Sequence, residues 1–103
     1  MPKSVLLVES PPESPQLVDD HNKCHDDVHI PEMLTIDGFS SARRWQPEYG
    51  ESFISLYEID TDIDTAKANL RAAFQSGRVS KPVAVDVNPP SKMRYFSLVS
   101  EVQ

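Results

Sequence analysis

Hydrophobic positions along the chain alternate between strand-like runs and helical stripes. Val5, Leu6, Leu7 and Val8 form a continuous apolar run, the pattern of a strand buried on both faces. Ser10-Pro11-Pro12, and soon after Pro15, stop it. A helix is predicted from Gln16 to about Leu34, because Leu17, His21, Cys24 and Val28 recur at spacings that share one helical face. Asp19, Asp20, Asp26 and Asp27 lie mostly off that face. Pro31 should kink this helix or start a new turn, since it lacks the N–H that a helix interior uses. Asp37-Gly38 is a turn signal, and Phe39 to Gln46 reads as a strand. Pro47 to Glu51 fits a hairpin connection into a second strand, Ser52 to Asp60. There Phe53, Tyr57 and Ile59 take one face and Ile54 and Leu56 the other. The Asp/Thr cluster from Asp60 to Thr65 supplies helix caps. Ala66, Leu70, Ala73 and Phe74 form a helical stripe ending at Gly77. Arg78 to Met93 is irregular, with one short strand suggested at Val83 to Val87, and Arg94 to Val102 reads as the last strand.

The order is β-α-β-β-α-β, the ferredoxin-like α+β arrangement of an antiparallel sheet with two helices on one face. The strands carry apolar residues on both faces, so the sheet face without helices should meet a partner. A symmetric homodimer, sheet against sheet, is the simplest closure. The whole span, 1–103, is the size of one domain.

Charge narrows the partners. Sixteen acidic against ten basic residues give a net charge of -6, which repels phosphate backbones and anionic lipid. Nucleic acid and membrane are therefore not expected as partners, and no apolar run approaches the ~20 residues of a membrane span. The apolar start has no small-residue cleavage site after it and reads as a strand rather than a signal peptide. A lone cysteine, Cys24, rules out an internal disulfide framework and fits a reducing compartment, so a cytoplasmic location is expected.

The stretch Asn22-Lys23-Cys24-His25-Asp26-Asp27-Val28-His29-Ile30-Pro31-Glu32-Met33-Leu34, then Asp37-Gly38-Phe39, Ala42-Arg43-Arg44 and Leu56-Tyr57-Glu58, resembles the dimeric α/β-barrel superfamily. That group includes EthD-like proteins, muconolactone isomerases, cofactor-independent quinol monooxygenases and small polyketide cyclases. The resemblance covers almost the whole chain, and its most specific part is His29-Ile30-Pro31 with Gly38-Phe39 and Ala42-Arg43. It implies a homodimer with a pocket between sheet and helices in each subunit. It implies no single reaction, because this fold hosts many. Where relatives often carry aromatics, this chain has His21, Cys24 and His25, a more polar pocket wall.

His21, His25 and His29 stand four residues apart, so on a regular helix they line one side, drifting ~40° per step. Only neighbours could share a metal, the outer pair being ~12 Å apart along the axis. No paired-cysteine or zincin motif supports a metal, and none is expected. Acid–base chemistry is the preferred reading, because imidazole titrates near pH ~6.5. His29 comes first, as it matches the family position at the helix end, and His25 second. The plainer alternative is half-buried histidines with ordinary hydrogen bonds. Cys24 could serve as a nucleophile, but mid-helix cysteines usually act as small core residues. Alternation sends Arg43 and Trp45 to one strand face and Arg44 to the other. One of the two arginines is expected to bind a substrate carboxylate or phenolate in bidentate fashion, and Arg43 is the one chosen. The alternatives are an ion pair to Glu58 or Asp60, or a dimer contact. Trp45, Tyr57, Phe74 and Tyr95, with His21 and Cys24, are the candidate substrate-binding surface. The loop from Arg78 to Met93 is a candidate lid. Gly-rich phosphate loops and nucleophile elbows are absent from the sequence, so no cofactor is called for. The expectation is a small cofactor-independent enzyme moving protons, as an isomerase, cyclase or lyase, on a compact oxygenated aromatic, lactone or polyketide-like compound. The alternatives are a ligand-binding dimer without turnover, or a haem or metal barrel using the helical histidines.

Overall fold

The continuous apolar run becomes a central strand. β1 (Ser4–Ser10) pairs antiparallel on one side with β3 (Phe53–Ile59) and on the other with β4 (Lys92–Ser97). β2 (Phe39–Trp45) closes the far edge against β3, giving the order β2-β3-β1-β4. This computed structural model describes residues 4–10, 18–49, 52–79 and 92–102, with Val18, His21 and Cys24 described by backbone alone. The strand suggested at Val83 to Val87, the start of the first helix and most of the candidate lid lie outside the described residues. The fold is the ferredoxin-like α+β arrangement, an antiparallel four-stranded sheet with two helices.

The first helix, α1, spans 18–33 in three stretches: α-helical Val18–Cys24, π-helical His25–His29 and a last α turn, Ile30–Met33. Pro31 explains the widening. It has no N–H for the carbonyl four residues back, and its ring would strike that carbonyl in a regular helix. Closing the turn at i+5 moves the carbonyl away, so the helix passes through the proline. The wider turn also resets the buried face. His25, His29 and Met33 point inward, whereas Val28, expected on the inner stripe, is 48% exposed. The second helix, α2 (Ile63–Gln75), follows its sequence signals closely. Asp62 caps it, accepting from the Thr65 backbone N–H at 2.9 Å and the Thr65 hydroxyl at 2.6 Å. Ala66, Leu70 and Ala73 face the core, but Phe74 is 39% exposed.

The core lies between these helices and the inner face of the sheet. Leu6, Phe39, Tyr57 and Ile59 from the strands pack with Met33, Ile36, Ala66, Leu70, Ala73 and Val79. A bulge between Phe39 and Ser41 breaks the two-residue alternation of β2. Phe39, opposite Ile59, and Ala42, opposite Tyr57, therefore both join the inner side. The bulge follows Gly38, whose φ of +97° and a Cβ that would sit 2.5 Å from Thr61 admit only glycine. The outer face carries Val5, Leu7, Ile54, Leu56, Trp45 and Phe96, and neither helix packs on it.

Candidate functional site

His25 and His29 are brought together under α1. Both are buried, at 2% and 8% exposure, and their rings meet edge to face with centroids 5.4 Å apart. In a π-helical turn four residues fall just short of a full circle, so the pair stands nearly in line. Asp26, Asp27 and Val28 between them are exposed. The pair shares its side of α1 with Met33, which is in the core, so the imidazoles face the protein interior.

On the sheet below, Tyr57 occupies the middle of the inner face, opposite Leu6 on β1 and Ala42 on β2. Its ring packs edge to face on Phe39 at 6.0 Å. Burial pushes its phenol far above the ordinary range, while the Arg44 charge pulls the other way. Tyr57 is therefore neutral throughout the physiological range. Beside it, Arg44 lies on the inner face of β2, its guanidinium carbon 5.4 Å from the Phe53 ring centroid. Its Nη1 donates to Asp26 Oδ1 of α1 at 3.1 Å, tying the helix to β2.

The other predicted residues divide between two further places. Arg43 and Trp45 lie on the outer face, opposite Leu56 and Ile54, away from the histidines; Trp45 is 52% exposed. Phe74 and Tyr95 line an open groove of about 420 Å³ between α2 and β4, with Lys67, Arg71 and Met93. Lys67 Nζ sits 5.2 Å from the Tyr95 ring centroid, and burial raises the Tyr95 phenol pKa. The side chains of His21 and Cys24 lie outside the described residues. Among the described residues no three His, Cys, Asp or Glu side chains gather as metal ligands, and no helix is long and apolar enough to cross a membrane.

Sequence reasoning weighed both arginines of β2 and chose Arg43 over Arg44, and it did not single out Ser55. The available signal was Ser55 itself, a small polar residue at a buried parity between Phe53 and Tyr57, with Arg44 opposite it on β2.

Solved structures share this ferredoxin-like fold. A monooxygenase, ActVA-Orf6 of Streptomyces coelicolor, in complex with nanaomycin D, matches with a TM-score of 0.68 and 13% identity, covering 98% of this chain and 91% of that one. SnoaB, a cofactor-independent oxygenase of Streptomyces nogalater, matches at 0.62 and 10% identity over 99% and 98%. A conserved protein of Methanosarcina mazei Go1 matches at 0.59 and 15% identity over 94% of each chain. No family model and no curated protein matches the sequence. At these identities the likeness establishes the fold. None of the three is named as EthD-like or as a muconolactone isomerase.

Proposed function

We propose that the chain is a small-molecule enzyme that removes a proton from a compact, oxygenated, polyketide-like aromatic compound, with His29 as the base and His25 beside it. The observation that carries this reading is the buried, edge-to-face His25–His29 pair on the inner side of α1. Imidazole exchanges protons near neutral pH, and a second ring in contact can share or relay the charge. Taking the proton from a phenol leaves an electron-rich anion in a site screened from water. Reprotonation at another atom would complete an isomerisation. Oxidation by dioxygen would complete an oxygenation, in which a hydroxyarene and O2 yield a quinone and water. The neighbouring structures named as oxygenases favour the second outcome.

Arg43, first taken as the anion-holding residue, belongs in this reading to the outer face. That face, with Val5, Leu7, Ile54, Leu56, Trp45 and Phe96, supports pairing with a second copy of the chain.

The test is turnover of a panel of hydroxynaphthalenes and hydroxynaphthoic acids, followed by quinone absorbance and by an oxygen electrode. His29→Ala should lower kcat about 10²–10⁴-fold with the fold intact by circular dichroism. Full activity in that variant, or no consumption of any panel member by the wild-type protein, would overturn the assignment.

A further inference from the structure

The inner face of the sheet carries a polar corner that the proton-transfer chemistry does not use. Arg44 is 15% exposed in its side chain, and its charge is permanent. One nitrogen, Nη1, is taken by Asp26. Nε and Nη2, the two nitrogens on the same edge of the guanidinium, are buried and have no hydrogen-bond partner among the described residues. Directly opposite on β3, Ser55 is 1% exposed and its hydroxyl also lacks a partner among them. One step along, Ser10 of β1, opposite Phe53, is 2% exposed, and its hydroxyl has no partner among the described residues. Buried polar groups are nearly always paired, and an orphaned donor on a charged group is the costliest kind.

We infer that the Nε–Nη2 edge of Arg44 is the anchor for a carboxylate on the substrate, with the Ser55 hydroxyl as the adjoining donor. The two N–H bonds of that edge run parallel and match the two oxygens of a carboxylate, the bidentate geometry for which arginine is suited and lysine is not. The Phe53 ring under the guanidinium holds its plane. These atoms are sealed from solvent, and the exposed Asp26 that ties α1 to β2 marks the edge from which a ligand would reach them. The inference rests on the space beneath α1 being a small-molecule site. It narrows the substrate class to an aromatic acid and does not depend on the histidines' chemistry.

Titrating the nitrogen-15-labelled full chain with benzoate, 1-naphthoate and 2-naphthoate, and following the arginine Nε–H resonances, tests it. At least one acid should bind saturably and shift the Arg44 resonance, and the matching amides should not. Arg44→Lys, which keeps the charge and loses the fork, should weaken binding by about tenfold or more. Absence of any Arg44 shift, equal binding of acid and amide, or undiminished binding in a folded Arg44→Lys would overturn it; the first two need no variant. A saturable Arg44 shift in a wild-type protein that turns over no panel member would leave the anchor in place and remove the base. Conversely, turnover that depends on His29 without any carboxylate binding would leave the base in place and remove the anchor.

Discussion

Tyr57 shows how one residue couples the core to pH. Its hydroxyl lies in the buried centre of the sheet, and burial raises its pKa well beyond the ordinary 10.0. A raised pKa means that the folded state resists losing the proton. The associated stability is complete below pH 10 and is lost as pH rises above it. Tyr57→Phe should therefore move the midpoint of alkaline unfolding upward, as read by circular dichroism; an unchanged midpoint would show that the phenol is solvated. Leu6 is the matching test of packing. It is fully buried opposite Tyr57 and Tyr95, and Leu6→Ala should cost about 2–5 kcal/mol in denaturant unfolding. At this scale the histidine pair was legible in the sequence from its i, i+4 spacing. The choice between Arg43 and Arg44 was not. Counting by twos from buried Phe39 puts Arg43 and Trp45 inside, and the bulge before Ser41 reverses that parity. A bulge that adds a single residue leaves little trace in a sequence, though it decides which arginine meets the site.

At the scale of elements, local capping and proline chemistry explain most of the agreement and most of the departures. Most of the α2 stripe, a cap within the Asp60–Thr65 cluster and the Gly77 terminus, with φ of +76°, were readable because each signal is local to the helix. The Thr65 hydrogen bonds to Asp62 lower its carboxyl pKa below the ordinary 3.8. A depressed pKa stabilises the fold fully above that ordinary value and is lost as pH falls through the lowered one. Asp62→Ala should lower Tm at neutral pH and shrink this loss on the acid side; an equal Tm at pH 7 would contradict the cap. In α1, the expected Leu17–His21–Cys24–Val28 face assumed a constant 3.6-residue turn. Pro31 forces a wider one, so that Val28 is exposed while His25, His29 and Met33 are buried. The strand limits moved by a residue or two at most for β2 and β3, while β4 begins at Lys92, before Arg94, and ends at Ser97.

For the whole molecule, the outer sheet face sets the expected assembly. Leu7 pairs with Leu56 at its centre, with Trp45 and Phe96 toward the edges. A face of this kind in water invites association, and the helices cover only the opposite side. Leu56→Glu should leave the core undisturbed and convert a dimer to a monomer in multi-angle light scattering. A wild-type monomer at micromolar concentration would contradict the pairing. The apolar residues on both faces of the strands, which give the sheet this outer face, were visible in the sequence.

The same scale also decides where a substrate sits. The groove beside α2, lined by Phe74 and Tyr95, is one place open to an aromatic ring, whereas the proposed function puts the ring beneath α1, on the side of His25 and His29. A crystal structure with bound 2-naphthoate separates them directly. The ring should lie beneath α1 against His25 and His29, with its carboxylate on the Nε–Nη2 edge of Arg44. Density confined to the groove beside Phe74 and Tyr95, with the space beneath α1 still closed, would contradict the account.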